Sequence, residues 1–209
     1  MTRIEQLILT YPNLDICMQD IQAAFGILRA CYHNGGKLLT CGNGGSAADA
    51  EHIVGELMKG YLLKRPIPKE MRAKLISISP QDGDYLADHL QGALPAISLV
   101  SQTSLLSAIA NDTAADMVYA QQVYAYGHKG DALIGISTSG NARNVINAMQ
   151  VARVLGLHTI SLTGPTGGAL KSLCEVCICV PGESTPAVQE LHLPIFHVLC
   201  AMLEEEFFA

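Results

Sequence analysis

The sequence predicts a three-layer α/β sandwich, doubly wound, with a central parallel sheet and a helical segment ahead of it. Three observations predict it. Short apolar strands alternate with helical patterns of ten or more residues from Lys37 onward, and crossovers of that length join parallel strands covered on both faces. Twice, at Lys37–Leu57 and Asp131–Met149, a strand runs through a turn of Gly, Ser, Thr and Asn into an amphipathic helix. The chain then finishes in a long apolar helical pattern, Pro186–Phe207.

Taken in order, Ile4–Tyr32 carries apolar residues at helical spacing, is divided by Pro12, and ends at Asn34-Gly35-Gly36. It reads as one or two helices packed on the core or on a neighbouring subunit. A first strand follows at Lys37–Cys41, a turn at Gly42–Ser46, and a helix from Ala47 to about Gly60. Residues 61–92 hold Pro66, Pro68, Pro80 and Gly83; a strand at Leu75–Ile78 and a short helix near Tyr85–Leu90 are expected there. Strands are expected at Ala96–Val100, Ala132–Ser137, Thr159–Thr163 and Val176–Val180. A helix or turn over Ser104–Ala110, a helix over Met117–Tyr126 and another reaching about Leu155 separate them. The whole, residues 1–209, is expected to be one domain, with 1–34 as an N-terminal helical segment and 61–92 as an extended insertion.

Composition narrows the function. With 209 residues, 49% hydrophobic and 15% charged, the chain is apolar enough to expect surface buried between subunits. Its net charge is −6 and its longest basic run is Lys64-Arg65, which opposes nonspecific nucleic-acid binding. The start MTRIEQLILTYPNL lacks the apolar core and cleavage site of a signal peptide. No stretch is expected to approach the roughly 18 apolar residues of a membrane span. Seven cysteines form no metal knuckle, and Cys174-Glu175-Val176-Cys177 lies in an apolar run. The thiols therefore read as small hydrophobes in a reducing cytoplasm.

The two turns are the chemical signal. A strand ending in small hydroxylated residues and opening a helix aims backbone N–H groups and the positive helix end at an anion. Asn43, Gly44, Gly45 and Ser46 form the first cradle; Ser137, Thr138, Ser139 and Asn141 form the second around Gly140. Neither turn matches a nucleotide P-loop or the GxGxxG pattern. A phosphorylated small molecule is expected between them, outside the carboxyl ends of the strands. On the helix after the first cradle, His52 and Glu56 are four apart and share a face; in the terminal helix, Gln189 and His197 are eight apart. Carboxylate and imidazole beside a phosphate cradle suit proton transfer next to a carbonyl. The same His, Glu and Gln set suits a divalent metal that polarises the carbonyl.

The segments CGNGGS at 41–46, ISTSGN at 136–141 and VQELHLPIFH at 188–197 resemble the sugar-isomerase (SIS) domain family, and within it the phosphoheptose isomerases. The likeness covers nearly the whole chain. It implies a flavodoxin-like doubly wound fold, a homotetramer with sites at subunit interfaces, and conversion of sedoheptulose 7-phosphate to a heptose 7-phosphate through an enediol. It implies that Ser46, Ser137, Thr138 and Ser139 bind phosphate. Asn43 and the Asn111-Asp112 pair would contact the sugar, and Glu56 and His197 would form the acid–base pair beside Gln189. Some members of the family hold zinc at positions matching His52, Glu56, Gln189 and His197. The resemblance also leaves two alternatives: another phosphosugar isomerase, or a non-catalytic regulator of the DnaA-binding type, which lacks the histidine matching His197. Transcription regulators that carry this module usually add a helix-turn-helix, and none is found here. The chain departs from the family in Pro186, where an acidic residue is common, in Lys59-Gly60, where a basic residue usually follows the glutamate helix, and in the longer 61–92 segment.

Overall fold

A computed structural model describes residues 1–209. Helices α1 (Arg3–Thr10) and α2 (Met18–His33) come first, joined by a 3-10 turn at Pro12–Cys17. Strand β1 (Leu38–Gly42) and α3 (Gly45–Met58) follow, then α4 (Lys69–Ile78), α5 (Gly83–His89) and β2 (Ala96–Ser98). Next are α6 (Thr103–Asp112), α7 (Val118–Tyr126), β3 (Ala132–Ser137) and α8 (Arg143–Leu155). The chain closes with β4 (His158–Thr163), α9 (Leu170–Leu173), β5 (Val176–Cys179) and α10 (Thr185–Phe208).

The five strands lie in the order β2-β1-β3-β4-β5, and every pairing is parallel. Alternation along the strands splits the core. Leu38, Ile134 and Ile136 join the layer holding α1, α2, α3 and α10, whereas Leu39, Cys41 and Leu133 join the layer of α6, α7 and α8. From β1 the chain goes outward to β2 and then returns to add β3 on the other side. The strand order therefore reverses between β1 and β3, the crevice where doubly wound sheets bind ligands. Register places Gly42 opposite Ile136 and Ser137 opposite Thr163. The turns after β1, β3 and β4 are consequently side by side.

Residues 61–92 correct one expectation. Leu75–Ile78 is the last turn of α4, not a strand. Four residues are too few for period to separate strand from helix. The longer pattern decides it: Arg72, Leu75, Ile76 and Ser79 are the half-buried positions, spaced as one helix face. Arg72 bridges Asp84 and Asp88 on α5 and closes the helical hairpin. A second correction concerns α10, which at 24 residues is long and apolar enough to span a membrane by length and composition. Its apolar side chains serve the core instead: Val188, Ile195, Phe196, Leu199 and Leu203 are buried, and 56% of its most apolar stretch is covered. All seven cysteines are free, four of them buried.

Candidate active site

The second cradle is built from its own hydroxyls. The Ser139 hydroxyl oxygen accepts from the Asn141 N–H at 3.1 Å, and that of Ser137 accepts from the Ala142 N–H at 3.4 Å. Each hydroxyl hydrogen stays free to donate, which is what a phosphate oxygen needs. Gly140 has φ +67°, and a Cβ there would lie 2.0 Å from the Gly167 carbonyl oxygen, so only glycine fits. Asn141 spends its amide on structure: it donates to the Ser139 carbonyl at 3.0 Å and accepts from the Ala169 N–H at 2.9 Å, fastening the cradle to the turn after β4.

The first cradle runs directly from β1 into α3. The Tyr119 hydroxyl donates to the Gly42 carbonyl and lies 3.2 Å from the Asn43 side-chain oxygen. Asn43 in turn pairs with Asn144 of α8, so the two cradles are tied to each other. Ser46 is buried at the first turn of α3. Gln189 reaches from α10 onto this turn: a Cβ on Gly45 would sit 2.6 Å from its amide nitrogen. Asn111 and Asp112 lie at the exposed end of α6, where Asn111 donates to Asp112 at 2.8 Å.

Beyond the first cradle, three chemistry-bearing side chains converge. Glu56 Oε1 is 3.0 Å from His52 Nε2, and His197 Nε2 is 3.4 Å from the same nitrogen. The second Glu56 oxygen is buried without a hydrogen bond and has the Lys59 ammonium 3.5 Å away. Burial holds His197 below the usual imidazole range, assisted by His52 and opposed by Glu56. His197 is therefore neutral near pH 7, the form that can take up a proton. The Tyr61 ring lies beside it, with centroids 5.7 Å apart.

These residues also fit a divalent metal in their donor chemistry. His52 Nε2 carries at most one hydrogen, so it cannot make good hydrogen bonds with both a carboxylate oxygen and a second imidazole nitrogen. A divalent cation held by these side chains would relieve that conflict. Within the single chain no three His, Cys, Asp or Glu side chains close around one point as they stand; Gln189, on α10, would be a further donor.

Of the residues singled out in the sequence, the structure gathers Asn43, Ser46 and Gln189 at the start of α3 and His52, Glu56 and His197 farther along it; four neighbours were not singled out. Asn144 was visible as a second asparagine after ISTSGN. Asp49, one turn before His52, holds a buried carboxyl oxygen with no hydrogen-bond partner, and burial raises its pKa against the pull of His52. Tyr61 and Tyr119 gave no local signal.

Comparison with known proteins identifies the family. The SIS domain pattern matches residues 15–79 and 86–164. Phosphoheptose isomerase of Rhodospirillum rubrum is 38% identical over 93% of this chain and 90% of its own length. Phosphoheptose isomerase 2 of Campylobacter jejuni is 38% identical over 98% of this chain and 88% of its own. Among solved structures, phosphoheptose isomerase from Neisseria gonorrhoeae superposes with a TM-score of 0.69 at 32% identity, covering 95% of this chain and 98% of that one. The enzyme from Francisella tularensis gives a TM-score of 0.73 at 27% identity, covering 98% and 100%. The parallel sheet, the paired cradles and these full-length matches place the chain in the SIS domain family, among the phosphoheptose isomerases.

Proposed function

We propose that the chain is an aldose–ketose isomerase that interconverts sedoheptulose 7-phosphate and D-glycero-D-manno-heptose 7-phosphate. The observation that carries this reading is that α3 opens at the first hydroxyl cradle and carries His52 and Glu56 beside His197 of α10. Ser46, Ser137, Thr138 and Ser139 hold the phosphate and fix the sugar's reach. At the other end, one group removes a proton from C1 of the open-chain ketose while another delivers a proton to the C2 oxygen, giving an enediol. Return of a proton to C2, with loss of the O1 proton, gives the aldose; no atom is gained or lost. Glu56 and His197 divide these transfers, each within reach of the other through His52. Zinc held by His52, Glu56, Gln189 and His197 would polarise the carbonyl.

The assembly we infer is a homotetramer with sites at subunit interfaces. In support, a cavity of about 300 Å³ beside His197 is lined by Leu7, Tyr11, Leu62 and Leu193. Leu62 and Leu193 are 52% and 40% exposed in the single chain, an apolar surface that a second copy would cover. The acidic charge suits a cytoplasmic enzyme of small anions held by local cradles rather than a nucleic-acid binder.

The deciding experiment is turnover of sedoheptulose 7-phosphate before chelation, after it, and with zinc restored. Loss and recovery would support both the isomerase and its metal. Turnover indifferent to chelation would keep the isomerase and remove the metal. No turnover in any state would refute the heptose reading.

A further inference from the structure

We infer that Arg65, held by Glu204, is a positioning residue for the acid–base cluster; the inference rests on the isomerase reading of that cluster. Arg65 is the largest fully buried side chain in the protein, and its ion pair with Glu204 is sealed from solvent on both sides, at 0% and 1% side-chain exposure. Buried charge of this kind is a poor source of net stability, so its contacts must explain it.

Those contacts all lead to the site. Helix α3 stops at Met58, which leaves the carbonyls of its last turn without helical partners. In a continued helix, the Glu56 and Leu57 carbonyls would accept from the N–H groups of Gly60 and Tyr61. Here Gly60 donates to the Gln91 side chain instead, and Tyr61 donates to Glu204 at 2.8 Å. Arg65 supplies donors there: Nη2 donates to the Glu56 carbonyl at 3.1 Å, and Nη1 donates at 2.8 Å to the Leu57 carbonyl, which also accepts from the Leu94 N–H at 3.0 Å. Its third arm, Nε, donates to Glu204 at 2.7 Å, and the guanidinium lies over the Phe208 ring, 4.6 Å from the centroid.

Glu204 sits on α10 seven residues after His197, so the two share a helix face. Beyond Arg65 it gathers the N–H groups of Tyr61, Leu62 and Leu63 at 2.8, 2.7 and 3.1 Å. One ion pair thus joins the backbone of Glu56 on α3, the helix that carries His197, and the segment that carries Tyr61. The separation of the two proton-transfer groups is set through it. A planar fork with three separate targets is a task lysine cannot perform, although lysine keeps the charge.

The test compares Arg65→Lys with Leu157→Ala, a core change at the amino end of the sheet, away from the site. Both are expected to lower Tm. In Arg65→Lys, kcat on sedoheptulose 7-phosphate falls about tenfold or more, because displaced catalytic groups lose near-attack geometry. KM stays within about twofold, because the hydroxyl cradles carry ground-state binding. Leu157→Ala keeps kcat. The second readout needs no turnover: ring 15N–1H spectra, in which the His52 and His197 signals move in Arg65→Lys and not in Leu157→Ala. Unchanged kcat and unmoved ring signals in a folded Arg65→Lys variant would overturn the inference and leave Arg65 a structural residue. Moved ring signals in a protein that does not isomerise this sugar would keep the positioning role and refute the heptose reading alone.

Discussion

Asn43 and Asn144 exchange two hydrogen bonds, each 2.9 Å long, across the crevice between β1 and β3. Asn43 belongs to the first cradle and Asn144 to the first turn of α8, just after the second, so the pair ties the two phosphate-facing turns together. Within the first turn of α8, Asn144 Oδ1 also accepts from the Val145 N–H at 3.0 Å. In Asn144→Ala the reciprocal pair is lost and the Asn43 amide is left without it. A net worth of about 1 kcal/mol per hydrogen bond sets the scale, roughly a tenfold loss of affinity for sedoheptulose 7-phosphate if the spacing relaxes. Calorimetry on the variant checks this, and undiminished affinity would show that the cradles keep their spacing without the clamp.

Gly45 and Gln189 support a sharper test of the site. The three atoms nearest a methyl group on residue 45 would all belong to the end of the Gln189 side chain, at 2.6 to 2.9 Å. That end can swing away, and alanine suits the first turn of a helix better than glycine does. Gly45→Ala should therefore leave Tm level or slightly raised while displacing Gln189, and turnover should fall. The effects of Gly45→Ala and Gln189→Ala should not add, since both remove the same amide from the same place. Additive losses would mean that Gly45 serves the ligand directly.

The pattern of what the sequence disclosed follows from distance along the chain. Both cradles were legible because strand, turn and helix signals are local: Lys37–Leu57 and Asp131–Met149 each carry all three. The parallel sheet was legible because crossovers of that length permit little else. Residues 75–78 misled because Leu-Ile-Ser-Ile has the composition of a strand, and the helix is stabilised by Arg72 reaching Asp84 and Asp88 on a later element. The convergence of His52 with His197 spans 145 positions and the Arg65–Glu204 pair spans 139. Resemblance to a family suggested the first of these. Nothing local marks the second, because a buried arginine in Lys64-Arg65-Pro66 reads like any exposed basic pair.

Asp131 makes a prediction about acid stability. It precedes β3 at the amino end of the sheet and accepts from the Lys37 N–H at 2.9 Å, the Lys37 ammonium at 2.5 Å and the His128 N–H at 2.9 Å. Burial opposes its ionisation, but these donors together outweigh burial and bring the pKa below the ordinary 3.8. A carboxylate with a depressed folded-state pKa contributes stability above its unfolded-state pKa and loses that contribution as pH falls through the folded value. Asp131→Asn should cost about 1–3 kcal/mol at pH 7. The difference from the unaltered protein should hold down to about pH 5 and then shrink. Urea unfolding at pH 7, 5 and 3 measures it. A gap that is the same at all three values would show that the carboxylate charge contributes nothing.

Glu56→Gln addresses the chemistry itself. The substitution keeps the size of the side chain and an oxygen that can face His52 Nε2, now 3.0 Å from Oε1, so the fold and the phosphate cradle should survive. An amide cannot take up or deliver the proton. General acid–base groups contribute roughly 10²- to 10⁴-fold, so kcat should fall by about that factor while the affinity for the phosphosugar holds. Isotope exchange separates this from a trivial loss. An enediol route carries solvent deuterium into the sugar at the carbon that regains its proton, and the unaltered protein should show that exchange in heavy water. Glu56→Gln should show neither exchange nor turnover. If exchange persists while net conversion stops, Glu56 is not the group that moves the carbon-bound proton, and that role passes to His197. If both persist, neither transfer depends on Glu56, and its place beside His52 serves only to hold the imidazole.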